Sequence, residues 1–206
     1  MKIVCIGDSL TAGYGVEKKE NWVSLLNQWG KNKYISKGIN GDTTSGMLAR
    51  FQRDVIDLSP QYVLIMGGLN DYIAGDTGEG VKVNYMAMAH HAAHHRITPI
   101  IGIAPDLIPG AAPPLWAQFT DFQQVLKKHI VFREWAFSFC KTFGLPFMDF
   151  WPLAQKSSHL SPKQRFIDGL HLSPESHMIL ASMALETIEG IELPIPQSDP
   201  VRRYST

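Results

Sequence analysis

The chain has 206 residues, 45% of them apolar, and 19 Lys+Arg balance 19 Asp+Glu for a formal net charge of zero. That length suits one domain with a substantial core, expected over residues 1–192, with a Pro-containing polar tail at 193–206. The balanced charge gives no basic field to attract nucleic acid or an anionic membrane surface, and no apolar run is long enough to span a bilayer. Because the first apolar run begins at Ile3, it leaves no room for the apolar core of a secretory leader, so a cytoplasmic setting is expected.

Residues 3–6 form a short, continuous, largely β-branched run, the pattern of a strand buried on both faces of a parallel sheet. Gly7-Asp8-Ser9 breaks it, which places Ser9 just past the carboxyl end of a first strand, where open α/β sheets put their ligand sites. Over residues 21–29, Trp22, Leu25, Leu26 and Trp29 follow helical spacing and predict one buried stripe, stopped by Gly30. A short second strand is expected at 34–38 and a second helix at 45–58, ended by Pro60. Residues 62–66 read as a third buried strand, followed by a loop at 71–80 and a helix at 81–96. A fourth strand is expected at 98–103, then an irregular Pro-rich loop at 104–115. A broken helical stretch over 116–143 precedes a fifth strand at 146–150. Residues 151–166 read as irregular, and a last helix runs from 174 to about 188. Strands alternating with helices predict an α/β fold of three layers, α/β/α, because parallel strands need crossover connections.

The string Gly7-Asp8-Ser9-Leu10 resembles the first block of the GDSL esterases of the SGNH hydrolase superfamily. Later blocks follow in order: Gly41 within Gly38-Ile-Asn-Gly-Asp-Thr43, then Gly68-Leu-Asn-Asp71, then Asp168-Gly-Leu-His171. The resemblance implies a flavodoxin-like five-stranded sheet in the order 2-1-3-4-5. It also implies a serine esterase with Ser9, His171 and Asp168 as its catalytic residues and an oxyanion hole from the Ser9 and Gly41 backbone N–H groups and the Asn70 amide. These assignments suit the chemistry. A serine hydroxyl needs a base to take its proton and a third group to orient that base, and Asp168 stands three residues before His171 on a Gly-containing turn. Gly41 permits close backbone approach. The second block departs from the N-x-G pattern of many relatives, since Ser36 stands before Gly38. Gly38 therefore competes with Gly41, whose Gly-Asp-Thr context fits better.

The cluster His90-His-Ala-Ala-His-His95 has i, i+4 pairs that could bind a transition metal. It lacks the glutamate of H-E-x-x-H and an evident further ligand, so a plain helix face is expected and no metal or organic cofactor is required. Cys5 and Cys140 read as reduced core thiols. Leu10, Met66, Ile103, Pro105 and Leu170 are candidates to line an acyl site for short apolar chains. The expected partner is a small-molecule ester; no motif fixes an oligomeric state. A thioesterase or lysophospholipase could use the same residues. A rival of another class is a non-catalytic flavodoxin-like module holding an anion on the loop between Gly7 and Gly15, but it gives Asp168 and His171 no task. A metal-dependent hydrolase built on the histidine cluster is a third alternative.

Overall fold

A computed structural model describes residues 1–190; the expected domain boundary at 192 and the tail at 193–206 lie outside them. Five parallel strands form one sheet in the order β2-β1-β3-β4-β5, as the resemblance implies. They are β1 (Lys2–Gly7), β2 (Lys33–Gly38), β3 (Tyr62–Met66), β4 (Thr98–Ile103) and β5 (Phe147–Asp149). Ile3, Val4, Cys5 and Ile6 of β1 and all five residues of β3 are buried. Central parallel strands covered on both faces leave no side for polar alternation, and each buried aliphatic side chain contributes roughly 1.5–3 kcal/mol of transfer free energy.

The helices are α1 (Ser9–Ala12), α2 (Trp22–Trp29), α3 (Thr44–Ala49), α4 (Phe51–Asp54), α5 (Leu69–Ile73), α6 (Glu79–His94), α7 (Pro114–Ala117), α8 (Phe122–Phe143), α9 (Leu153–Lys156), α10 (Pro162–Arg165) and α11 (Pro174–Gly190). The Asn21 side chain caps α2 by accepting the Val23 N–H at 2.7 Å, the usual service of an N-cap amide. Trp22, Val23, Leu25 and Leu26 form its buried face. Trp29, expected in that stripe, lies in the last turn and is 43% exposed.

Other expectations need correction. The single helix at 45–58 is instead α3, α4 and a 3-10 turn at Ile56–Leu58. The break falls at Arg50, whose φ and ψ of −102° and 5° leave the helical region while its side chain turns inward onto three acceptors. The loop expected from 71 begins inside α5, because the buried Asp71 carboxylate accepts the Thr44 N–H at 2.9 Å and anchors that turn. The irregular stretches at 104–115 and 151–166 contain short helical turns, including Pro109–Ala111, α9 and α10. The expected break within 116–143 falls between α7 and α8, where Asp121 caps the longer helix by accepting the Gln123 N–H at 2.9 Å.

Candidate active site

The ends of three adjacent strands are level, with Gly7 of β1 paired to Gly38 of β2 and to Met66 of β3. After Gly7, the Asp8 carboxylate accepts the Leu10 N–H at 2.9 Å and caps α1, whose first residue is Ser9. The Trp22 indole N–H donates to the Leu10 carbonyl at 2.9 Å and the Asn21 amide to the Thr11 carbonyl at 3.0 Å, so α2 fixes α1 in place. Burial, followed by the nearby Asp71 and Asp42 charges, pushes the Asp8 carboxyl up to about 7 against the bond from Leu10.

The facing half of the site comes from a loop between α10 and α11, closed by an antiparallel bridge between Phe166 and Leu172. Gly169 turns this loop with a φ of 80°, where a β-carbon would also press on Ala111 and the Ile108 carbonyl. Asp168 Oδ1 accepts the His171 N–H at 2.7 Å and the Leu170 N–H at 3.1 Å. Its Oδ2 lies 2.7 Å from His171 Nδ1. Burial raises the Asp168 pKa, but the His171 backbone and ring bonds, with help from the Leu170 N–H, outweigh it and hold the carboxyl below its ordinary range. An ionised carboxylate can only accept, so Nδ1 carries the proton and Nε2 presents a lone pair. Nε2 lies 3.0 Å from Ser9 Oγ and accepts its hydroxyl proton. A lone pair directed at a hydroxyl, on a ring oriented by a carboxylate, is the arrangement that activates a serine.

Gly38 and Gly41 are separated by their surroundings. A β-carbon on Gly38 would run into the Ala12 backbone, so this glycine serves the packing of α1 on β2. Gly41 has a φ of 76° and open space around it, leaving its backbone approachable. Asn70, near the start of α5, donates to the Asp42 carbonyl at 2.9 Å, which joins it to the Gly41 loop and leaves its second amide hydrogen. The loop between β3 and α5 is held from beneath by buried Tyr85, whose hydroxyl accepts the Gly67 N–H at 2.8 Å.

Sequence reasoning missed two aromatic neighbours of His171: the Tyr14 ring at 4.4 Å and the Trp116 ring at 6.0 Å between centroids. The available signal was Tyr14 between two glycines just past Ser9; Trp116 gave none. Leu10, Met66, Ile103, Pro105 and Leu170 are all buried, none more than 5% exposed among the four aliphatic side chains. Leu10, Met66, Ile103 and Leu170 belong to the hydrophobic core.

The histidine cluster lies at the carboxyl end of α6, just before β4 begins, and so toward the amino ends of the strands, opposite the carboxyl ends that Ser9 follows. His90, His94 and His95 are exposed and His91 stacks on Phe51. Among the described residues no group of three or more His, Cys, Asp or Glu could hold a metal ion. Cys5 and Cys140 are free and buried, and burial pushes both thiols up to about 12. No helix among the described residues is long and apolar enough to cross a membrane.

With this geometry in place, comparison with known proteins assigns the class. Residues 5–179 match the model of the GDSL-like lipase/acylhydrolase family, and the chain belongs to that family. An uncharacterized lipoprotein, YqeF of Bacillus subtilis, is 26% identical over 92% of this chain and 87% of its own. An arylesterase of Vibrio mimicus is 38% identical over 42% of this chain and 46% of its own. Thioesterase 1/protease 1/lysophospholipase L1 of Escherichia coli is 36% identical over 35% of this chain and 36% of its own. The crystal structure of a GDSL-like lipase from Bacteroides thetaiotaomicron superposes with a TM-score of 0.72 at 25% identity, covering 92% of this chain and 88% of that one. The protein is thus a GDSL-type hydrolase, a class with which serine-dependent ester hydrolysis is consistent.

Proposed function

We propose that Ser9, His171 and Asp168 are the catalytic residues of this hydrolase, acting on carboxylic esters with short acyl chains through an acyl-enzyme. The observation that carries the reading is the continuous relay from Asp168 Oδ2 through the His171 ring to Ser9 Oγ, at 2.7 and 3.0 Å. His171 Nε2 takes the Ser9 proton as Oγ attacks the ester carbonyl. The Ser9 and Gly41 N–H groups and the Asn70 amide receive the developing oxyanion, a contribution that grows only as charge develops. His171 then gives its proton to the leaving alcohol. Water, deprotonated by the same nitrogen, attacks the acyl-enzyme and releases the acid and Ser9.

In this reading Leu10, Met66, Ile103, Pro105 and Leu170 form an apolar floor beneath the acyl group, and Tyr14 and Trp116 flank it. A floor already close-packed suits a short chain better than a long one. The two free, buried thiols fit a reducing, cytoplasmic setting. A second reading is thioester hydrolysis at the same site; its support is the 36% identity to a thioesterase over 35% of this chain.

The test is hydrolysis of p-nitrophenyl acetate, butyrate and octanoate, with acetyl- and octanoyl-thioesters alongside, by wild type and Ser9→Ala. Wild type should prefer acetate and butyrate, and Ser9→Ala should lose activity with an unchanged circular dichroism spectrum. Full activity in Ser9→Ala would refute the assignment. A thioester preference of tenfold or more in kcat/KM would move the substrate class to the second reading.

A further inference from the structure

We propose that Arg50 is a positioning residue for the oxyanion hole, a single guanidinium that sets the spacing between its three donors. The inference rests on the reading of Ser9, Gly41 and Asn70 given above. Arg50 sits between α3 and α4, and its side chain is only 9% exposed. Each nitrogen meets an acceptor on a different segment. Nη2–H donates to the Gly7 carbonyl at 3.0 Å, Nε–H to Asp42 Oδ2 at 2.8 Å, and Nη1–H to Asp54 Oδ2 at 2.8 Å.

Two of these acceptors adjoin oxyanion donors. Gly7 is the last residue of β1, two before Ser9. Asp42 follows Gly41, and its own carbonyl accepts the Asn70 amide at 2.9 Å. The segments after β1, β2 and β3 thus meet at one cation, through Gly7 directly, through the Asp42 carboxylate, and through the Asp42 carbonyl to Asn70. The third acceptor, Asp54, is buried and also bonded to Arg53 and Lys37, so the guanidinium is tied into a wider group of ion pairs. Gly46 leaves room for the Asp42 carboxylate, because a β-carbon there would strike Asp42 Oδ1. The planar, three-directional fork is particular to arginine; a lysine ammonium in the same place is a point charge on a flexible stem and cannot keep this geometry to all three acceptors.

Oxyanion donors act on charge that exists only in the transition state, so disturbing their spacing should lower kcat and spare KM. For Arg50→Lys the expected loss is about 10–100-fold in kcat with KM within about threefold, the scale of donors displaced by a fraction of an ångström to an ångström. Met88→Ala is the control for stability alone, since Met88 is fully buried on α6 and forms no part of the site. Melting temperatures, kcat and KM of p-nitrophenyl butyrate hydrolysis are measured for both variants, well below either unfolding transition, with Ser9→Ala as the activity baseline. A selective fall in kcat for Arg50→Lys, with kcat retained by a comparably destabilised Met88→Ala, supports the proposal. Unchanged kcat in Arg50→Lys overturns it, as does a fall matched by Met88→Ala at equal loss of melting temperature. If Arg50→Lys does not fold, Asp42→Asn carries the test, with about a 3–10-fold lower kcat at unchanged KM expected and wild-type kcat counting against the idea. Retained activity in Ser9→Ala would instead overturn the underlying site reading, so the two failures are distinguishable.

Discussion

Replacing Asp168 by Asn tests the relay at its least obvious point. Two backbone N–H groups, from His171 at 2.7 Å and Leu170 at 3.1 Å, converge on Oδ1, while Oδ2 takes the ring N–H at 2.7 Å. In the carboxamide of the Asp168→Asn variant only the oxygen can still accept, and the two backbone donors claim it. The amide NH2 then faces Nδ1, which must present a lone pair, so the ring proton moves to Nε2 and points at Ser9. Such a ring cannot take the serine proton. The expected loss is roughly 10⁴-fold in kcat, about 5 kcal/mol of barrier, the size of the same tautomer error in serine proteases. The loop should stay folded, because both backbone donors keep a partner. Asp168→Ala should lose activity and also stability, by about 1–3 kcal/mol for N–H groups left without an acceptor. Steady-state hydrolysis of p-nitrophenyl butyrate and urea denaturation separate these effects. Asp168→Asn retaining more than about a tenth of wild-type kcat would show that His171 is not oriented by this carboxylate, and the relay would have to be abandoned.

Asn70→Ala should lower kcat by about 10²–10³-fold with little change in KM, as expected for one donor to the oxyanion, and a mainly KM effect would assign Asn70 to ground-state binding instead. Stability should follow pH through three buried groups. Burial pushes His129 and His177 down to about 4 from 6.5, so the unfolded chain binds protons that the native state refuses between those values, and stability falls as pH drops through this window. Asp8, raised to about 7 from 3.8, works in the opposite sense: the native state keeps a proton that the unfolded chain gives up, so its contribution weakens as pH rises from about 4 to 7. Each group alone tends toward roughly 1 kcal/mol per pH unit, so removing the opposing one in Asp8→Asn should steepen the stability gain from about pH 4.5 to 6. Urea midpoints across that range measure it, and an unaltered slope in Asp8→Asn would sink the assignment of the buried Asp8 proton.

What was legible in the sequence and what was not divide along a physical line. β1, β3 and β4 are covered on both faces, and that environment writes itself as runs without a charged or polar side chain, such as residues 62–66 and 99–103. Ser9, Gly41 and Asn70 stand a few residues past strand ends, and the Asp168–His171 loop is marked by Gly169, whose positive φ other side chains rarely adopt. Residues whose task is imposed by local backbone can therefore be picked out from neighbouring residues, and family resemblance then joins the blocks.

Arg50 belongs to the other kind. Within its own segment it reads as one polar position of an unbroken helix, and helical periodicity predicts no turn there. Its conformation is decided by the Asp54 carboxylate four residues on, the Asp42 carboxylate eight residues back and the Gly7 carbonyl of β1, the last of which reaches it only through the folded sheet. Tyr14 and Trp116 are alike in this respect: each meets His171 across a long stretch of chain, and neither leaves a periodic trace. Local sequence encodes where the chain must turn, whereas the distances between turned segments depend on side chains that bridge them. A site whose reaction depends on those distances is therefore sensitive at positions, Arg50 foremost, that no motif marks.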